Sequence, residues 1–326
     1  MPARHFVELR QETSFGVPIA VGDRTLNTNA IVPRLDGANQ FTPLMKPVTQ
    51  VIPGGGGYNS PACIYADTYA MSGNLQGMLY PVQTKFLMDW ATTRINSART
   101  TPWTTTDSTG VMPVGDLASI SGYRAVLEAS TLKRRRASGL KAQSFALQMS
   151  RQSPAVAFSA GVVGIRDDTN AAGTVADPDA TEFPEPAGTD YPCGPWLFSH
   201  LAGGLKIGSS RTLFDMVNVT FTNTLQVLNW ESRYPLMIGF YGRTITIEVG
   251  LYRKPTPDDL ASFRALTALD VELTLANGTN TLTMDFGTKG RWTEMNEDLP
   301  LDNAYRWTGT ITILDDAGTD FAFTYA

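Results

Sequence analysis

The sequence is poor in the side chains on which most catalytic and metal sites depend. Its 326 residues include two cysteines, Cys63 and Cys193, and two histidines, His5 and His200. Two distant cysteines make no disulfide framework, and two of each type far apart offer no clustered zinc ligands. A Ser-His-Asp or Cys-His site would have to rest on His200, whose apolar flanks (WLFSHLAGG) contain no nucleophile motif such as GxSxG. His200 is therefore expected to be structural. Charged residues make up 17% of the chain, against about 25% in an average soluble protein. No apolar run approaches the roughly 20 residues of a membrane span, and the opening MPARHFVELRQE lacks a secretory signal pattern. The expectation is a protein made soluble in a reducing cytoplasm.

Other candidate sites fail on spacing. The glycines at 54–57 lack the Lys-Ser/Thr of a phosphate loop. Asp315, Asp316 and Asp320 do not follow the calcium-loop spacing and have no closing Glu, which points to a turn. The carboxylate pairs Glu182/Glu185 and Glu294/Glu297 have nothing nearby to separate their pKa values, as glycoside hydrolysis requires. Sequons at Asn218 and Asn277 carry no weight without a secretory signal. The expectation is no enzyme: no catalytic, cofactor-binding or metal-binding residue is assigned, and no cofactor.

The net charge of −5 divides unevenly, at +5 over residues 1–150 and −10 over residues 151–326. The basic excess nearly equals one run, Lys133, Arg134, Arg135 and Arg136. A protein that holds nucleic acid through its phosphates needs a broader basic surface. The run reads either as a solvated strand end or as a patch facing an acidic surface on a neighbouring subunit.

What is abundant is Thr, Ser, Asn, 29 Gly and 20 Pro, which favour strands and turns over long helices. The expected fold class is mainly β, a β-rich α+β arrangement. Residues 1–60, with scattered prolines and little periodicity, read as an extended arm ordered only against something else. Residues 61–165 read as a first β domain: a strand over 63–80, a helix from Pro81 with Val82, Phe86 and Trp90 on one stripe, and strands at 123–130, 143–149 and 155–165. Residues 166–195, acidic and rich in Pro and Gly, read as a loop or linker. Residues 196–326 read as a second β domain. Val217, Val219 and Phe221, then Ile245, Ile247 and Val249, alternate with polar residues. A helix follows, capped by Thr256 and Pro257, with Leu260, Phe263, Leu266 and Leu269 on one face. Strands are then expected at 271–275 and 282–286 around an Asn277-Gly278 turn, and at 308–314 and 321–325 joined as a hairpin. The matching order of elements suggests two tandem copies of one fold. Aromatics are expected in the core, with Trp103, Trp196 and Trp292 as alternative interface anchors.

Several segments together resemble the tail tube proteins of long-tailed bacteriophages, in the class of about 300 residues. RQETSFG (10–16) is similar to that family's early E-T-x-x-G segment. SGNLQGMLYP followed by PVQTKFLMDWATT resembles its first strand-helix unit. SGYRAVLEASTLKRRRASGLKAQSFALQM, VNVTFTNTLQVL, YGRTITIEVGLYRKPTPDDLASFRAL and LTMDFGTKGRWTEMNEDLPLDNAYRWTGTITILDD resemble its paired strands, second helix and final strands. The resemblance implies a β-sandwich or half-barrel with a flanking helix, oligomerising into stacked rings that form the channel for genome passage in a virion tail. It implies self-association as partner, trimeric and pseudo-sixfold for a two-copy chain or hexameric otherwise, with tape-measure and tail-terminator proteins beside it. DNA would pass through the lumen without specific binding and no membrane would be involved. Residues 217–227 and 245–251 are the expected barrel strands. The alternatives are another virion structural protein, such as a capsid decoration or tail terminator, and a carbohydrate-binding β-sandwich of a receptor-binding protein.

Overall fold

A computed structural model describes residues 5–35, 42–53, 59–92, 103–106, 117–128, 131–167, 178–212, 214–228, 235–251, 257–298, 306–314 and 322–325. The first half contains β1 (His5–Ser14), β2 (Val17–Pro18), β3 (Ala30–Ile31), β4 (Thr42–Pro53), β5 (Asn59–Met78), α1 (Pro81–Thr92), β6 (Trp103–Thr106), β7 (Ile120–Glu128), β8 (Thr131–Ser150), β9 (Ser153–Gly164) and β10 (Arg166–Asp167). The second half contains β11 (Leu201–Ile207), β12 (Ser210–Thr212), β13 (Met216–Leu228), β14 (Met237–Leu251), α2 (Pro257–Ala265), β15 (Val271–Ala276), β16 (Thr281–Asp285), β17 (Gly290–Asp298), β18 (Arg306–Ile313) and β19 (Ala322–Tyr325).

The strands build two sheets. Through the larger one runs an antiparallel path of eight strands, β4-β5-β9-β8-β13-β14-β18-β17. β7 and then β1 join it along the first half of β8. The smaller sheet has the order β12-β11-β15-β16-β19-β6. Alternation decides which side of each strand is buried. Val217, Val219 and Phe221 on β13, and Ile245, Ile247 and Val249 on β14, are buried, while the residues between them are half-buried or exposed. The buried faces of the two sheets meet in one core. Phe221 of the larger sheet lies 5.8 Å from Phe323 of the smaller, and Phe323 lies 6.0 Å from Phe286, both edge to face. Removing such a ring from water contributes about 1.5–3 kcal/mol.

Pro81 does open α1, but Val82 is 44% exposed, and burial extends almost all round the helix from Gln83 to Thr92. Two of its polar side chains find backbone acceptors: Gln83 Nε2 donates to the Val32 carbonyl at 3.0 Å and Thr84 Oγ1 to the Tyr80 carbonyl at 2.9 Å, while Gln83 Oε1 is buried without a partner. α2 ends at Ala265, so Leu266 and Leu269 lie beyond it. Leu266 has φ +49 and is exposed, and Phe263 carries the contact with the core. The Asn277-Gly278 turn forms with Gly278 at φ +85, and Asn277 Oδ1 accepts from the Thr279 and Asn280 amides. The two last strands are not a hairpin: β18 pairs in the larger sheet and β19 pairs with β16 and β6 in the smaller.

Two expectations about organisation change. Residues 5–14 are not an arm awaiting a neighbour, because β1 runs antiparallel to β7 from His5↔Val126 to Gln11↔Ile120 and buries Phe6, Val7 and Leu9. Nor do residues 166–195 separate two independently paired units, since β8 pairs with β13 and β6 with β19 across that point. The glycines at 54–57, Thr256 and Asp315, Asp316 and Asp320 lie outside the described residues.

The segment RQETSFG ties β1 down. The Glu12 carboxylate accepts from Ser121 Oγ and the Gly139 amide through Oε1, both at 2.7 Å, and from Ser119 Oγ and the Gly16 amide through Oε2, at 2.5 and 2.8 Å. Gly16 turns back with φ +79, a conformation that favours glycine. Glu12→Ala orphans donors on three segments, of which the buried ones, at Ser121 and Gly139, are each worth about 1–3 kcal/mol. The expected result in denaturant unfolding is a loss of at least about 2 kcal/mol, with Glu12→Gln losing less.

Candidate assembly surface

The eight-strand path has one covered and one open face. Across the open face, paired residues form rows. One row reads Ala146, Thr220, Thr246, Thr312 and Arg291, and the next reads Gln148, Asn218, Glu248, Thr310 and Glu294. Two carboxylates and one guanidinium are the charges in these rows. The carboxylates have neutral neighbours: Asn218 Nδ2 donates to Glu248 at 3.2 Å and Thr310 Oγ1 to Glu294 at 3.5 Å. Arg291 turns its guanidinium back onto the carbonyls of Thr288 and Gly290. The arrangement offers a hydroxyl- and amide-rich wall with a small negative excess.

The path also has two ends. Among the described residues, β4 has a ladder partner on one side, β5, and β17 beyond Gly290 has one on one side, β18. Exposed ladder groups of this kind template pairing with another chain. Pro43, Pro47 and Pro53 on β4 remove donors and make indiscriminate pairing less favourable.

The remaining sequence candidates have structural places. His200 Nδ1 accepts from the Leu197 amide at 3.0 Å and its ring lies edge-on to Trp196. Trp196 and Trp292 are fully buried, so neither anchors a surface; the side chain of Trp103 lies outside the described residues. Cys193 is exposed and free, and burial together with Arg124 lowers the pKa of His5. Glu182 and Glu185 do not form an acid-base pair. Arg136 binds the Glu182 carboxylate, Arg10 donates to the Glu182 carbonyl at 2.9 Å, and Arg134 donates to the Phe183 carbonyl at 2.8 Å. The basic run thus holds the acidic segment of its own chain. Phe183 is the plug, buried against Phe6 at 5.0 Å and Tyr123 at 5.2 Å, and burial raises the pKa of Tyr123. Neither sequence reading of the basic run anticipated this, although the signal was there in a basic strand and an acidic loop of one chain. Among the described residues, no group of three or more His, Cys, Asp or Glu could hold a metal, and no helix is long and apolar enough to cross a membrane.

The family model described as phage tail tube protein matches residues 3–324. The chain belongs to this family. The match covers both halves, including β1 and the clamped segment, and supports a structural component of a phage tail. No curated protein matches the chain. In this tail tube protein the open sheet and its two ends, with no pocket involved, are the candidate functional surface. Among the residues whose side chains are described, Tyr241 is the large exposed aromatic, and it forms no aromatic platform of the kind carbohydrate binding would need.

The clamp separates two magnitudes. A half-exposed ion pair is worth up to about 1 kcal/mol, whereas truncating a buried Phe costs about 3–5 kcal/mol. Phe183→Ala is expected to destabilise the chain far more than Arg136→Ala and to expose residues 178–191 to limited proteolysis, with both effects read on the same preparations.

Proposed function

We propose that three copies of this chain close into a ring through the ends of the eight-strand path, and that rings stack into the tube through which the phage genome passes. The observation that carries this reading is the antiparallel path itself, whose end strands each have one ladder partner among the described residues, β17 beyond Gly290, with a polar face of low net charge between them. Closing it removes both unpaired edges and gathers the polar face into a lumen. Strands 217–227 and 245–251 lie at its centre, within β13 and β14.

The threefold count follows from how the path is composed. Four strands, β4-β5-β9-β8, are followed by four more, β13-β14-β18-β17, and in each set the second strand leads through proline into a helix, α1 at Pro81 and α2 at Pro257. Read as two copies of one unit, three chains supply a pseudo-sixfold ring. For stacking, the two ends of the sheet offer apolar residues of different identity: Leu236, Met237 and Tyr241 by the β13-β14 hairpin, and Met78 and Val82 where β5 enters α1. Unlike surfaces meeting head to tail extend without closing, as a filament requires. Tape-measure and terminator proteins would meet the ends of such a tube. On this reading the chain has no enzymatic role and works in the virion tail after synthesis in the bacterial cytoplasm.

The wall passes DNA because it offers phosphates no net positive charge: Arg291 is turned onto backbone carbonyls, and Glu248 and Glu294 outnumber it. Purified protein is expected to form hollow tubes in electron micrographs and to retain no duplex DNA. Thr246→Lys places three added positive charges in each ring and is expected to leave the tubes intact while causing DNA retention that falls steeply with salt. A chain that stays monomeric at high concentration would contradict the proposal.

A further inference from the structure

The larger sheet repeats its irregularities. β5 and β9 are paired from Met71↔Gly164 to Met78↔Ala157, and β14 and β18 from Ile245↔Ile313 to Leu251↔Trp307. When the first pair of each ladder is superposed, every other position follows without further choice. β8 then carries one extra residue, Gln143, between Ala142 and Ser144, where β17 carries one extra residue, Thr293, between Trp292 and Glu294. β5 carries Asp67 between Ala66 and Thr68, where β14 carries Tyr241 between Phe240 and Gly242. Ile120 pairs with Leu140 at the position where Leu269 bridges Gly290. A bulge is a placed feature of a strand pair. Two bulges and a bridge at matching addresses are the imprint of one unit used twice, at a level where the side chains have diverged.

The two units already meet inside one chain. β8, the last strand of the first set, pairs with β13, the first strand of the second, through Ser144↔Thr222, Phe145↔Phe221 and Ala146↔Thr220. β17 occupies the place of β8, and β4 that of β13, and both are bare on the corresponding side among the described residues. We infer that β17 pairs antiparallel with β4 of a neighbouring copy in this same register, placing Glu294 opposite Leu44, Met295 opposite Pro43 and Asn296 opposite Thr42. The internal junction thus serves as the template for the junction between chains. The inference rests on the ring proposed above and specifies which atoms join it.

The test is disulfide capture in a Cys63→Ser, Cys193→Ser background, with rings or tubes imaged before oxidation. Asn296→Cys combined with Thr42→Cys is expected to give covalent dimers and trimers on non-reducing gels. The pair Glu294→Cys with Leu44→Cys is expected to do the same, which covers the case in which the first pair does not fold. Asn296→Cys with Lys46→Cys, displaced four residues or about 13 Å along the strand, lies beyond the roughly 7 Å Cα separation a disulfide spans and is expected to stay monomeric on the gel. Assembled rings that cross-link through the displaced pair, or through none of the three, overturn the register and leave the ring standing. A protein that remains unassembled overturns both.

Discussion

A strand at the end of a sheet holds a row of backbone amides and carbonyls that must be paired by something. Water pairs them at the surface of a monomer, but the edges then remain sticky, and natural proteins blunt them or use them. This chain blunts both, and the proposed ring would use them. β4 is studded with prolines, while β17 beyond Gly290 carries Glu294, Glu297 and Asp298. What remains is an eight-strand antiparallel path whose end strands each have one ladder partner among the described residues, β17 beyond Gly290. The covered face, the smaller sheet and both helices hold that path in shape.

The polar face gains its sense from the same constraint. Alternation makes one side of every strand available to the core, and the aromatic contacts from Phe145 through Phe221 to Phe323 use it. In the proposed ring the other side would have to tolerate whatever is enclosed. Threonine suits that place twice, because it packs well on a pleated surface and its hydroxyl offers a phosphate no charge. The row through Thr220, Thr246 and Thr312 fits that requirement up to Arg291, whose guanidinium is turned onto backbone carbonyls, and Glu248 and Glu294 in the next row add mild repulsion. A family whose members build phage tail tubes is where such a surface is expected.

Much of this was legible in the sequence wherever hydrophobic period and burial coincide. The alternations at 217–221 and 245–249, the Pro81 and Pro257 helix starts and the Asn277-Gly278 turn all stand where the residues place them. The opening segment was not legible as a strand. β1 is buried on both faces, so its signal is a run including Glu8, Arg10 and Glu12 whose charges are paired in the interior, and no alternation announces it. The clamp of residues 178–191 was hidden for a related reason, since charge partners 46 residues apart have no local signature. β19 was misplaced because turn chemistry reports a reversal of the chain and says nothing about which sheet receives the next strand. The proposed duplication shows in the sequence only as an order of elements. Its stronger trace, the shared bulges, is a property of register, and register does not appear in a sequence.

Hydrogen exchange of the unmodified protein, before and after assembly, addresses the edges directly. The account predicts that the amides of 294–298 on β17 that face away from β18, and those of Thr42 and Leu44 on β4 that face away from β5, become protected together on assembly, to the level of the β8-β13 junction that is formed in every single chain. Assembled tubes in which either edge exchanges as freely as in the unassembled chain would contradict it.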